Sequence, residues 1–129
     1  MNLLREPRLH DEEFLKRIRQ LPCLIPQCNA THVEAAHIRM ARADLGVTEA
    51  GIGQKPHDAM VVPLCAEHHR LGLMAEHRLG SRFFWARHGI QPHCVALRLW
   101  LAHRNNPNDR LHAVQAMRTI ILEERFNAG

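Results

Sequence analysis

Four cysteines and eleven histidines lie in a chain of 129 residues, and those with ligand-like spacing fall in one order. Cys23-x4-Cys28 comes first, then Ala36-His37-Ile38, then Lys55-Pro56-His57-Asp58, then Pro63-Leu64-Cys65-x2-His68-His69, and finally His77. Two separated pairs of soft ligands suit one structural zinc, which favours tetrahedral thiolate and imidazole donors. Cys23-x4-Cys28 makes a short knuckle that aims two thiolates at one centre. Cys65 and His68, three apart at an expected helix start, lie on one side of that helix. Thirty-six residues separate the two pairs. Zn²⁺ held by Cys23, Cys28, Cys65 and His68 would therefore tie an N-terminal loop to a helix start and add directly to folding stability. His32 is the nearest substitute for His68, and burial as plain apolar thiols is the alternative for the cysteines. Cys94, in an apolar stretch, is expected in the core.

The remaining members of the array suit hydrolysis. Cleaving a phosphodiester needs a base to activate water and a cation to stabilise charge on the phosphate and the departing oxygen. A neutral histidine is a good base near pH 7. His37, on a short apolar segment, fits that role across from a metal held by His69. Taken alone, His37 also reads as a core histidine bonded to the backbone, and only the surrounding array favours chemistry.

Several elements must position these groups. Residues 8–20 read as a helix, with Asp11, Glu12 and Glu13 near its start and Lys16, Arg17 and Arg19 near its end, as the helix dipole prefers. Phe14, Leu15, Ile18 and Leu21 form its apolar face, and Pro22 ends it. A loop spans 22–32, a strand 33–40, a long Gly-containing loop 41–57 and a second strand 59–64, with Pro63 near its end. A helix is expected from Ala66 to about Arg78, broken by Gly80. Ser81 is expected to cap residues 82–88 and Gly89 to stop them. Pro92 suits the first turn of a helix reaching about Arg104. Asn108 is expected to cap a last helix with Leu111, Val114, Met117 and Ile121 on one face. The expectation is a single α+β domain over 1–129, with a metal-stapled β-β-α centre at about 22–85 and a helical extension at about 90–126.

Composition limits the partners. Apolar residues are 46% and charged residues 23%, as in an ordinary soluble protein. No stretch approaches the ~18 apolar residues of a membrane span, and Met1 to Arg19 lack a signal-like apolar region, so a cytoplasmic protein without a membrane partner is expected. In the cytosol paired cysteines more often hold metal than form disulfides. The formal net charge is +4, and all seventeen cationic residues except Lys16 and Lys55 are arginine, whose planar fork suits phosphate. Arg39, Arg42, Lys55, Arg70, Arg78 and Arg82 flank the array. They read equally as solvated surface or as phosphate contacts of a nucleic-acid partner. His10, His88, His93, His103 and His112 are expected on the surface or on helix faces, and Phe83, Phe84 and Trp85 in the core.

In these motifs, over about residues 22–85, the chain resembles the HNH, or ββα-metal, nuclease superfamily. It is most similar to small phage- and prophage-encoded members with a zinc knuckle, including recombination-associated nucleases. The resemblance rests on Cys23 and Cys28, Ala36-His37-Ile38, Lys55-Pro56-x-Asp58, Pro63-Leu64-Cys65-x2-His68-His69, and His77-x2-Gly80 with Phe83-Phe84-Trp85 beyond. It implies an endonuclease acting on DNA, with His37 as general base, Asp58 where an asparagine usually orients that base, and His69 as the metal-binding histidine. The catalytic ion would be divalent (Mg²⁺, Mn²⁺, Ni²⁺ or Zn²⁺), and a recombination protein is an implied partner. Arg39, Lys55 and Arg70 are the implied nucleic-acid contacts.

The chain departs from the family pattern at two places. Many relatives carry a ligand immediately before the catalytic histidine, where this chain has Ala36; Glu34 could substitute only from a different height on the strand. The last ligand, His77, lies eight residues after His69, about 12 Å of helix rise. The two share an ion only if the helix ends or bends, as Gly72 permits. Two other readings stand beside the endonuclease. One is a non-catalytic, zinc-stapled nucleic-acid-binding module of phage or prophage origin. The other is a phage structural or assembly protein, with the apolar helices of 92–126 as a dimer face. The sequence leaves the oligomeric state open.

Overall fold

A computed structural model describes residues 10–42 and 58–129. Lys55 lies outside the described residues. Within them the chain is α+β, with five α-helices and one two-stranded antiparallel sheet.

Helix α1 spans Glu12–Ile18. The Asp11 side chain accepts the Phe14 N–H at 3.0 Å and so caps it, satisfying a donor that has no partner inside the helix. Phe14, Leu15 and Ile18 are buried on its inner face, with Arg17 beside them. Strands β1 (Val33–His37) and β2 (Val61–Cys65) follow, in a register that sets Val33 opposite Cys65 and His37 opposite Val61. Every residue of β2 is buried, because α1 packs on both strands and the helix over Pro92–Arg104 packs on β2. Pro63 sits in the middle of β2 rather than near its end. It has no N–H to give, but its carbonyl accepts the Leu24 N–H at 2.9 Å, so the cysteine knuckle covers the outer edge of β2.

The continuous helix expected over 66–78 is not formed. A single π-helical turn, Glu67–Leu71, is followed by Gly72 in extended backbone (φ −73°, ψ 160°) and then by the short helix α2, Glu76–Leu79. The Gly72 N–H donates to the Glu67 carbonyl at 2.9 Å. A Cβ at position 72 would lie 2.8 Å from that same oxygen, so the tight exit requires glycine.

Helix α3 (Ser81–His88) ends at Gly89, whose φ of +65° suits a residue without Cβ. Helix α4 runs over Pro92–Arg104 and α5 over Arg110–Ala128. Asp109, not Asn108, caps α5 by accepting the His112 N–H at 3.0 Å. Met117 and Ile121 face inward as expected, joined by Ala113, and Val114 packs partly buried beside them; of the expected face only Leu111 is exposed. The buried apolar residues form one cluster running from Phe14 through β1 and β2 to Leu99, Trp100, Met117 and Ile121. Phe14 meets Trp100 edge-on with centroids 5.0 Å apart, a favoured aromatic geometry.

Candidate functional site

Three groups of side chains converge on the hairpin and the turn that follows it. The first is the cysteine knuckle. Antiparallel pairing ends at Cys65, and the π-turn brings His68 back over it. Cys28 Sγ lies 3.8 Å from Cys65 Sγ, while His68 Nδ1 lies 3.2 Å from Cys65 Sγ and 3.8 Å from Cys23 Sγ. All four donor atoms fall within 4.8 Å of one another. Zn–S bonds of about 2.3 Å at tetrahedral angles require ligand–ligand edges of roughly 3.7 Å, so the set fits structural zinc.

The backbone supports the sulfurs. Cys65 N–H donates to Cys23 Sγ at 3.4 Å and His68 N–H to Cys65 Sγ at 3.5 Å. Gln27 takes φ +66° to turn the knuckle just before Cys28, a conformation that costs a residue with Cβ about 1–2 kcal/mol. Burial pushes the Cys23 thiol up to about 12, with the neighbouring sulfurs adding to the shift. A thiolate is therefore costly there unless a cation shares the site. Burial also lowers His68, favouring the neutral imidazole that ligates metal. His32 is exposed and outside the group.

The second group forms around the bend at Gly72. Breaking the helix there lets His77 approach His69, with ring centroids 4.5 Å apart. Donor atoms of His69, Glu76 and His77 lie within 4.8 Å of one another. Glu76 is buried, and one of its oxygens accepts the Ser81 hydroxyl at 3.2 Å and the Trp85 Nε1–H at 3.3 Å. Ser81 therefore anchors Glu76 instead of capping α3. The other Glu76 oxygen lies 3.7 Å from His77 Nε2.

Glu34, on β1, meets the set at His69. Its Oε1 is 2.7 Å from His69 Nδ1, and both its oxygens accept from Arg70, at 2.7 to 3.1 Å. The Arg70 guanidinium, helped by His69, holds the Glu34 carboxyl at about 2 against the opposing effect of burial. A carboxylate only accepts, so the His69 proton sits on Nδ1 and the lone pair on Nε2. Carboxylate–histidine pairs of this kind orient metal-ligating imidazoles. Glu34 thus acts on His69 rather than substituting for a ligand at position 36. Arg70, expected to contact phosphate, is engaged with Glu34.

The third group is a dyad at the other end of β1. His37 Nε2 lies 2.8 Å from Asp58 Oδ1, and Asp58 is fully buried while the His37 side chain is 26% exposed. With Nε2–H directed at the carboxylate, the basic lone pair of His37 is on Nδ1. Alternation along the strand puts Glu34 and Ala36 on one face and His37 on the other. The three residues from Glu34 to His37 correspond to roughly 10 Å along the strand.

The structure therefore brings together Cys23, Cys28, Cys65 and His68; His69 with His77; and His37 with Asp58. Arg39 is exposed just beyond β1. Sequence reasoning missed Glu76, whose only signal was its place beside His77 at a helix start. Two residues expected in the core, Phe83 and Cys94, are exposed, and two helix-face histidines of α4, His93 and His103, turn inward and are buried. The Cys94 sulfur accepts from Arg42 at 3.3 Å. His93 donates its Nε2–H to the Met40 carbonyl at 2.6 Å.

A family model described as a protein of unknown function (DUF968) matches residues 1–103, most of the chain. No curated protein matches the chain, and no solved structure does.

Proposed function

We propose that this chain, which belongs to the DUF968 family, is a metal-dependent endonuclease of the HNH, or ββα-metal, type that hydrolyses DNA phosphodiester bonds. One observation carries the reading. The His69–Glu76–His77 set, with Glu34 on Nδ1 of His69, is built on the same hairpin and turn as the His37–Asp58 dyad. Two imidazoles and a carboxylate leave positions open to water and substrate on a divalent ion. Mg²⁺, Mn²⁺, Ni²⁺ or Zn²⁺ bound there would supply positive charge to the phosphate and to the departing oxygen.

The chain's own residues do the rest. Asp58 accepts His37 Nε2–H and holds the ring, so that Nδ1 takes the proton of an attacking water. Glu34 fixes the lone pair of His69 on Nε2. Ser81 and Trp85 hold Glu76 in place. Cys23, Cys28, Cys65 and His68 would hold zinc, which would fasten the knuckle to β2 and to the turn that carries His69. Arg39 and Lys55 are assigned to the DNA backbone, and a phage recombination protein is the proposed partner. Incubating the zinc-loaded protein with supercoiled plasmid tests the reading: nicking should require an added divalent ion and stop with chelator.

A second reading, a zinc-stapled nucleic-acid-binding module without catalysis, is favoured by Ala36 and by the separation of His37 and Glu34 onto opposite strand faces. Salt-sensitive DNA binding with no product under any of the four metals would select it.

A further inference from the structure

Behind His37 a line of hydrogen bonds leads inward to a buried arginine. Asp58 receives His37 on Oδ1 and the Asp11 backbone N–H on Oδ2, each at 2.8 Å. Asp11 Oδ2 lies 2.9 Å from His103 Nε2, and His103 Nδ1 lies 3.0 Å from Arg17 Nη1. The direction of these bonds follows from donor chemistry. A guanidinium only donates, so His103 Nδ1 accepts, and the ring proton on Nε2 goes to Asp11. Asp11 Oδ1 meanwhile takes the Phe14 N–H and caps α1. Both oxygens of Asp11 are therefore clamped, and the clamp aims its backbone N–H at Asp58.

Arg17 secures the far end. It is 1% exposed, donates to Glu13 at 2.8 Å, and donates to the carbonyls of Asn106 and Pro107 at 2.9 and 3.3 Å. The line thus joins α1, α4 and the α4–α5 corner. His10 also reaches Asp58 Oδ2, at 3.1 Å, but from a largely exposed position.

We propose that Asp11 and His103 are positioning residues for His37: they fix the Asp58 carboxylate, and through it the ring angle and the Nε2–H tautomer of His37. The proposal rests on the reading of His37 as the proton acceptor. A fold staple alone would need only the Arg17 bonds to the corner carbonyls. Here donors and acceptors alternate without a mismatch from Arg17 to the partly exposed imidazole.

Asp11→Asn is the decisive variant. Asparagine keeps the helix cap and the backbone N–H but turns a side-chain donor toward His103 Nε2–H. The ring must then leave one neighbour or move its proton against Arg17. The experiment uses the zinc-loaded full chain and measures plasmid nicking with Mn²⁺ together with the ¹⁵N tautomer pattern of His37, assigned by its absence in His37→Ala. Asp11→Asn and His103→Leu should lower kcat about tenfold, the equivalent of about one charge-assisted hydrogen bond. KM should stay within twofold, and the single Nε2–H tautomer of His37 should become a mixture. His103→Gln, which keeps one acceptor and one donor, should restore most of both. Unchanged kcat with an unchanged tautomer overturns the proposal. So does a loss equal in His103→Gln and His103→Leu with the tautomer intact, which marks a purely structural role. If the wild type nicks under no metal, the nuclease reading fails and the tautomer alone decides: a mixture in Asp11→Asn upholds the positioning role, and no change overturns it.

Discussion

Removing the Glu34 carboxylate should weaken the candidate catalytic ion and leave the zinc alone. Glu34 makes one short bond to His69 Nδ1, at 2.7 Å, and a two-oxygen contact to Arg70. Arg70 neutralises most of its charge at neutral pH, so little of the effect on a nearby cation is Coulombic. What remains is orientation: the carboxylate fixes the ring and places the lone pair on Nε2. Losing such a partner typically costs 10- to 100-fold in metal affinity, about 1.4 to 2.7 kcal/mol. Glu34→Gln keeps an acceptor for Nδ1–H but loses the ionic contact to Arg70, so about tenfold is expected. Glu34→Ala removes both, and the loss should approach about 100-fold. Titrating Mn²⁺ into the zinc-loaded protein by calorimetry reads the affinity directly, with zinc content measured in parallel. Mn²⁺ affinity within twofold of wild type in both variants would refute the assignment of Glu34 to His69 orientation. Loss of zinc together with Mn²⁺ would show that Glu34 serves the fold rather than the ion.

Three further outcomes follow from the geometry. Cys65→Ser should abolish stoichiometric zinc and cost about 3 kcal/mol or more, lowering Tm by roughly 10 °C in a chain of this size; full zinc occupancy by mass spectrometry contradicts the ligand set. Gly72→Ala would place a Cβ 2.8 Å from the Glu67 carbonyl, so the exit must shift at a cost of about 1–3 kcal/mol; Mn²⁺ affinity should fall with zinc retained, and unchanged affinity contradicts the role of the bend. Arg110 first, and then Arg17, hold the Glu13 carboxyl at about 2 against an ordinary 4.5. Its pKa is depressed in the fold, so its stabilisation is complete above about pH 4.5 and is lost as pH falls toward 2. Glu13→Gln should flatten that limb of Tm against pH, and an unaltered limb rules the ion pair out as its source.

The parts legible in the sequence were those written in local spacing. Cys23-x4-Cys28 and Cys65-x2-His68 gave the tetrad, because a knuckle and a helix start impose their own geometry. Pro92 and Gly89 marked the bounds of α4 and α3, because φ restrictions act on single residues. What remained hidden depended on tertiary placement. The His69–His77 pair was legible only as a condition, a break at Gly72, and that break is set by close approach to the Glu67 carbonyl. Glu76 has no periodic signal; it is held by Ser81 and Trp85, five and nine residues away. His103 resembled any helix-face histidine until Arg17, from the other end of the chain, was packed against it. Cys94 stood in an apolar run, but the turn at Pro92 faces it outward.

The central claim is that His37 takes a proton during metal-dependent DNA cleavage. The most direct test compares nicking of supercoiled plasmid by wild type and His37→Ala, at equal zinc content and matched Tm, across Mg²⁺, Mn²⁺ and Ni²⁺. The account predicts metal-dependent nicking by the wild type and a loss of about 100-fold or more in the variant. Nicking by His37→Ala at the wild-type rate would contradict it.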